Sequence, residues 1–358
     1  MVDFEGFPVV GRETISGMDA AVEPPGTDSR RVSRPTTGNP HCQSETHHLT
    51  LEHAKDDWYT PRPLARGVIS RRPAAPALLH LPLTTLLTGA LMEPMLNIAL
   101  RAARKAAELI ERSFERVDLL TVETKSRNDF VTEVDKAAEK EIIYHLRKAY
   151  PDHTIRGEEG GTQQGKNPDY EWIIDPLDGT TNFIHGVPHF SISIACKYKG
   201  QLEHGVVLDP VKREEFTASR GRGASLNGRR LRVSPRRTLE GALIGTGIPF
   251  SGYAFDNISA YLSCVQEIAG QTAGIRRCGS AALDLAYVAA GRFDAFWEMN
   301  LNEWDIAAGV LLVKEAGGLV SDFNGGQTYM DTGHIVVGSP KVFKPILQTV
   351  QKHLGYLK

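Results

Sequence analysis

Apolar residues fall into clear periods from Leu96 onward. Leu96, Leu100, Ala103, Ala107, Ile110 and Phe114 recur at three- and four-residue steps, which predicts a helix with one apolar face. Val134, Ala138, Ile142 and Leu146 repeat that spacing and predict a second helix over about residues 132–150, closed by Pro151. The apolar run from Trp172 to Ile174 reads as a short buried strand that delivers Asp175 at its end. Pro176 is expected to stop sheet pairing there. Phe190, Ile192, Ile194, Cys196 and Tyr198 alternate with other residues, the period of a strand. Lys199-Gly200 then turns the chain toward another strand near residues 205–208. Further helices are predicted near 257–268, over 281–290 with Gly291 as a stop, and from Trp304 to Gly317-Gly318. A strand at 295–298 lies between the last two. Helices and strands come in blocks instead of strict βαβ units, which predicts an α+β layered architecture.

The first 91 residues show none of this periodicity. They hold ten of the twenty prolines, in clusters such as Pro24-Pro25, Pro61-Arg62-Pro63 and Pro73-Ala74-Ala75-Pro76. Such a segment is expected to be disordered. Arg71-Arg72 and the Leu-rich run behind it mimic a signal peptide, but they sit far from the N-terminus, and His80 and Pro82 interrupt them. The expectation is a disordered extension over 1–91, a natural start at Met92, and one folded domain over 92–358.

Composition narrows the class. Hydrophobic residues make up 41% and charged residues 23% of the 358, ordinary globular usage. A formal charge of −2 gives no general pull toward nucleic acid or anionic membrane. No uninterrupted apolar stretch is long enough to span a bilayer, so no membrane role is expected. Cys42, Cys196, Cys264 and Cys278 show no close metal-type spacing, and a reduced cytoplasmic protein is the expectation.

The chemistry concentrates in Asp175-Pro176-Leu177-Asp178-Gly179-Thr180. Two carboxylates and the start of a helix share one turn. Mg²⁺ prefers oxygen ligands, and free N–H groups at a helix start bind phosphate. Such a turn is common without a metal, because Asp and Gly suit turn geometry. Three other stretches add acids: Gly157-Glu158-Glu159-Gly160, Trp304-Asp305-Ile306-Ala307-Ala308-Gly309, and the run from Lys125 through Asp129 and Thr132 to Asp135. Thr132 and Asp135 also have the spacing of a capping box, and Asp305 could be a plain N-cap.

These stretches, in this order, resemble the inositol monophosphatase family, lithium-sensitive Mg²⁺-dependent phosphatases. The likeness runs from about Met92 to the C-terminus. It is to the bacterial, proteobacterial branch, whose members begin Met-x-Pro-Met-Leu-Asn-Ile-Ala, as residues 92–99 do here. The resemblance implies an α+β fold, a layered αβαβα sandwich, and a homodimer. It implies two to three Mg²⁺ ions: Asp175 as the bridge, Glu158 and the carbonyl of Leu177 completing one site, Asp178 and Asp305 the second, and Glu158 touching a third ion. Gly179 and Thr180 would hold the phosphate through their N–H groups. Thr180 and Asp135 would orient and deprotonate a metal-activated water, with Lys125 near the same loop. Asp178 and Gly279-Ser280-Ala281 would line the substrate pocket, and Glu298 would accept hydrogen bonds from polyol hydroxyls. The expected reaction is hydrolysis of a phosphorylated polyol, foremost myo-inositol 1-phosphate, with sugar phosphates and fructose bisphosphate as alternatives. Phosphate monoester hydrolysis is slow enough uncatalysed to need a very large barrier reduction. Paired metals roughly 3.5–4 Å apart can supply one.

Two other features carry less. Gly160 to Asn167 nearly spells a P-loop, but Asn167 stands where Ser or Thr is required, so a flexible loop is expected. His185 and His189 are four apart, yet Gly186 and Pro188 argue against a helical zinc pair. A basic stretch (Arg220, Arg222, Arg229-Arg230, Arg236-Arg237) reads as solvated surface. It leaves open a second function that the resemblance also implies, transcription antitermination with RNA polymerase and other antitermination factors as partners.

Overall fold

The structure, a computed structural model, describes residues 93–357, apart from 120–121, 127–128 and 250–254. The expected disordered segment 1–91 and the start at Met92 lie outside the described residues.

Pro94 opens α1 (Pro94–Phe114), where a missing N–H costs nothing. A hairpin of β1 (Val122–Ser126) and β2 (Asp129–Thr132) leads into α2 (Glu133–Ala149). Next come β3 (His153–Gly157), β4 (Gly161–Gln163), β5 (Asn167–Asp178) and the short α3 (Thr180–Ile184). A run of antiparallel strands follows: β6 (Ser191–Tyr198), β7 (Gln201–Asp209), β8 (Glu214–Ser219), β9 (Gly223–Leu226) and β10 (Arg229–Arg230). The second half holds β11 (Leu243–Thr246), α4 (Ile258–Ala269), β12 (Gly274–Arg276), α5 (Ala281–Ala289), β13 (Ala295–Glu298) and α6 (Glu303–Glu315). It closes with β14 (Leu319–Ser321), α7 (Tyr329–Thr332), β15 (Ile335–Gly338) and α8 (Phe343–Leu354).

The larger sheet has eight strands in the order β10-β9-β8-β7-β6-β5-β3-β4, the smaller five in the order β12-β11-β13-β15-β14. The apolar faces stack these into layers. Ala103, Ala106, Ile110, Ile142 and Leu146 of α1 and α2 pack on Trp172, Ile174, Ile192 and Ile194 of the large sheet. The opposite face of that sheet, with Ile173, Ala195, Val207 and Phe216, packs on α5 and α6, which in turn meet Phe296 and Val337 of the small sheet. Trp297 and Val336, on the far face of the small sheet, are covered by Tyr261 and Ile268 of α4 and Ile346 and Val350 of α8. The order is αβαβα, as the family resemblance implies.

Two expectations need correction, at Pro176 and over 160–167. Pro176 does not end the strand: β5 continues to Asp178 and stays paired to β6. The strand expected from the alternation at 190–198 is present as β6, and Ser191, Ser193 and Ala195 are as buried as Ile192 and Ile194. The strand is central and covered on both sides, with its small residues under α5 and α6. The stretch 160–167 is not a flexible loop. It carries edge strand β4, antiparallel to β3, and a Cβ at Gly165 would lie 2.2 Å from the Asp152 carbonyl oxygen.

Candidate active site

A break in register gathers the first acids. Asp175 lies opposite Ser193 and Asp178 opposite Ser191, so three steps on β5 match two on β6. In a regular strand, residues three apart face opposite sides. The extra residue returns Asp178 to the face of Asp175, the face toward α5 and α6. Pro176, with no N–H to give to a ladder, occupies this irregular stretch. The Asp175 side chain accepts from the Leu177 N–H at 2.9 Å. Asp178 accepts from Ser280 Oγ at 2.6 Å and from the Ala282 N–H at 2.8 Å, at the first turn of α5.

The partner strand fastens the helices that carry the rest. Ser191 Oγ meets Ser280 Oγ at 3.2 Å, and Ser193 Oγ donates to the Trp304 carbonyl at 3.0 Å. The N-terminal residue of α6, Glu303, pairs with both Arg156 of β3 and Lys197 of β6. Asn302 is the N-cap of α6, and Asp305 is the third residue of its capping box, accepting from the Asn302 N–H at 2.7 Å. Asp305 is therefore not the N-cap itself. Asp135 plays the same part in α2. Its Oδ2 accepts from the Thr132 N–H at 2.8 Å and from Thr132 Oγ1 at 2.6 Å. Its Oδ1 accepts from Thr180 Oγ1 at 3.0 Å. Capping and contact with Thr180 thus coexist, one on each oxygen. Thr180 Oγ1 also lies 3.0 Å from the Leu177 carbonyl.

Glu158 follows β3, with its N–H on the Ile174 carbonyl at 3.1 Å. The loop is held by a residue that sequence reasoning missed. Glu139 of α2, buried at 4% exposure, accepts from the N–H groups of Glu159 at 2.9 Å and Gly160 at 2.7 Å. A Cβ at Gly157 would stand 2.2 Å from Glu139 Oε2, and one at Gly160 2.7 Å from Oε1. Both glycines are needed for that approach. The signal was present: an acid beside the apolar stripe of α2, one residue after Ala138.

A cleft of about 750 Å³ joins these elements. Glu158, Asp175, Leu177, Asp178, Gly179, Thr180, Gly279, Ser280, Ala281, Glu298 and Asp305 all line it. Asp135 reaches it through Thr180. Lys125 falls in β1, and its side chain lies outside the described residues. Gly179 needs its positive φ of 99°; a Cβ there would approach the carbonyl oxygens of Gly279 at 3.1 Å and His189 at 3.2 Å. Glu298 packs on Gly247, where a Cβ would overlap its carboxylate. Arg277, not singled out by the sequence, also lines the wall.

The electrostatics are those of crowded acids. Among the described residues the lining holds seven acids, and only Lys136 and Arg277 as Lys or Arg. Lys136 is already paired with Glu123 at 2.6 Å. Burial pushes Asp175 well above the usual carboxylate range, and Glu158, Asp178 and Asp305 push it further. Burial pushes Asp178 up to about 6, opposed by its bonds to Ser280 and Ala282 and aided by Glu158. Asp305 is raised by burial and by Asp178. Glu298 is pushed up to about 8 by burial, against the pull of Arg277. Carboxylates that raise one another so strongly fit a bound cation. The donor set, carboxylates with the Leu177 carbonyl, is the one a hard divalent ion takes.

A layered sandwich with its acids gathered where strand and helix ends meet defines a protein of the phosphatase class. The chain belongs to the inositol monophosphatase family, whose sequence profile matches residues 91–354. It is 67% identical over 265 residues to the Nus factor SuhB of Pseudomonas aeruginosa, spanning 74% of this chain and 98% of that one. The crystal structure of the extragenic suppressor protein suhB from Bartonella henselae superposes with a TM-score of 0.71 at 42% identity, covering 73% of this chain and 100% of that chain. A Thermotoga maritima IMPase gives a TM-score of 0.66 at 38% identity, covering 74% and 99%. Among the described residues no helix is long and apolar enough to cross a membrane.

Proposed function

We propose that the protein is a Mg²⁺-dependent, lithium-sensitive phosphatase that hydrolyses a phosphorylated polyol, foremost myo-inositol 1-phosphate. The observation that carries this reading is the meeting of Glu158, Asp175, Asp178 and Asp305 along one cleft whose lining, among the described residues, holds seven acids and two Lys or Arg. Those four acids and the Leu177 carbonyl would hold two to three ions, with Asp175 as the shared ligand. Bound Mg²⁺ supplies charge neutralisation for the phosphoryl group and a more acidic water. The chain's own residues do the rest. Thr180, held between Asp135 and the Leu177 carbonyl, would orient a water, and Asp135 would take its proton through that hydroxyl. Burial raises the Asp135 pKa, which suits a proton acceptor. The Gly179 and Thr180 amides would meet the phosphate at the start of α3. Glu298, with Gly279, Ser280 and Ala281, would accept the polyol. Lys125 stays a proposed neighbour of the same loop, and a homodimer the proposed assembly. The test is phosphate release from inositol 1-phosphate and a panel of sugar phosphates. Release that needs Mg²⁺ and falls with Li⁺ is expected; metal-independent release or none would refute the reading.

A second reading rests on the relatives named Nus factor SuhB. The protein would also join a complex of RNA polymerase and antitermination factors. Several arginines of the basic stretch are engaged within the fold, Arg220 with Glu203 at 2.7 Å, Arg222 with Glu93 at 2.6 Å and Arg236 with Asp294 at 3.2 Å. Arg229 and Arg230 stand exposed on edge strand β10. Co-elution with RNA polymerase and the other factors tests it, and failure to co-elute counts against it.

A further inference from the structure

Behind the cleft wall, three unlike donors meet. We propose that His189, Cys278 and Asp284 form a binding site for a borderline-soft divalent cation of the Zn²⁺ type, separate from the carboxylate cleft. One ligand atom from each, a ring nitrogen, the Sγ and a carboxylate oxygen, all lie within 4.8 Å of one another. The pairing could not be read from spacing, since the residues come from three places: just before β6, just after β12, and inside α5.

Two further observations point to a ligand. Asp284 is only 1% exposed; its Oδ1 is buried without a hydrogen-bond partner, and the side-chain hydrogen bond its carboxylate does make is with the Cys278 thiol, a weak donor and itself one of the three proposed ligands. His189 Nε2 is likewise buried and unpartnered. Buried polar atoms are nearly always paired, and each exception calls for a cause. A cation among these three residues supplies one for both atoms. The backbone is held in place for it: Asn182 Nδ2 donates to the His189 carbonyl at 2.7 Å and to the Cys278 carbonyl at 2.9 Å. Two of the three ligands are thus tied to one side chain.

The donor types choose the metal. Imidazole, thiolate and carboxylate suit Zn²⁺, and three protein ligands leave a fourth position open. Mg²⁺ takes oxygen ligands and belongs in the cleft. Cys278 is half-buried, whereas Cys196 and Cys264 are buried in apolar cores. Burial pushes the Cys278 thiol up to about 12, and the charge of Asp284 and a hydrogen bond to its carboxylate act the same way, so without a cation the thiol keeps its proton; a coordinating ion draws the proton off. The neighbouring charges are mixed. Lys212 faces His189 and Cys278 but is paired with Asp209 at 2.7 Å. Arg276 acts on Cys278 and Arg277 on Asp284, while Glu298 and Asp178 offer negative charge toward Asp284.

Co²⁺ tests the site, because thiolate ligation gives a near-ultraviolet charge-transfer band that oxygen ligation does not. The full chain is titrated with Co²⁺ in a large excess of Mg²⁺, which keeps the cleft out of the reading. One equivalent should bring up the band, and Zn²⁺ should abolish it. Cys278→Ser should show no band, and Cys42→Ser should keep it. No band in the wild type, or a band that survives in Cys278→Ser, would overturn the proposal. Should Cys278→Ser fail to fold, His189→Gln decides instead: roughly tenfold or greater loss of Zn²⁺ affinity is expected, and unchanged affinity overturns it. The outcome is independent of whether the cleft hydrolyses phosphate.

Discussion

The Glu139 carboxylate receives two N–H groups of the acidic loop and so sets where Glu158 stands without being a proposed ligand. Glu139→Gln keeps the shape but replaces one acceptor oxygen with a donor. It should weaken Mg²⁺ by roughly 10-fold or more, as loss of a supporting residue does, while circular dichroism stays unchanged; an unaltered Mg²⁺ dependence would show that the loop holds itself. Asp305→Asn tests a proposed ligand. The amide can still cap α6, so the fold should survive while phosphate release is lost, and full-rate turnover would remove Asp305 from the site. At this scale the sequence was legible where the acids cluster in short motifs, at 157–159, 175–178 and 304–305. It was silent on Glu139, Ser191 and Ser193, because each acts on a residue distant in sequence and none has a motif of its own.

Helix and strand placement explains the Ala-Ala-Gly that follows Asp305. A Cβ at Gly309 would lie 2.5 Å from Leu285 Cβ of α5. On the other side, a Cβ at Gly205 of β7 would come 3.1 Å from the Ala308 carbonyl oxygen. Helix α6 is thus squeezed between α5 and the large sheet, and only small residues pass. Gly309→Ala should destabilise by about 1–3 kcal/mol, the range for overpacking, lowering Tm by roughly 2–4 °C for each kcal/mol; a thermal melt checks it, and an unchanged Tm would mean the helices separate freely. The amphipathic α1 and α2 were legible because each covers a single face. Strand β6 was legible as a strand from its alternation, but the burial of its second face was not, since Ser191, Ser193 and Ala195 there are small residues with little apolar signal. The extension of β5 past Pro176 was not legible at all: the extra residue is a feature of pairing with β6, and no local rule contains it.

The whole molecule carries a stability signature of its crowded acids. With carboxyls near 4 when unfolded, Asp178 at about 6 and Glu298 at about 8 hold protons in the folded chain that the unfolded chain has released. That contribution is present at low pH and is lost as pH rises through about 6 and then about 8. In chelator, Tm should therefore fall across this window, and Mg²⁺ should restore it by binding the folded state alone. The buried His204 and His334, whose lowered values act in the opposite direction, cancel when melts with and without Mg²⁺ are compared at each pH. A gap between the two melts that does not widen from about pH 5 to about pH 9 would contradict this. The five-layer order was legible as α+β from the blocks of helix and strand, and as αβαβα through the family resemblance. The meeting of His189, Cys278 and Asp284 was not, since it exists only once α5 is packed beside β6.

Glu158, Asp175, Asp178 and Asp305, four acids from three separate stretches of the chain, are proposed to hold divalent ions together. Calorimetric titration of the full chain with Mg²⁺ tests this most directly, with Asp175→Asn and Asp178→Asn as companions. The wild type should bind at least two ions, and each variant should lose sites or bind far more weakly while keeping its fold. Equal binding by all three proteins, or no Mg²⁺ binding by the wild type, would contradict the account.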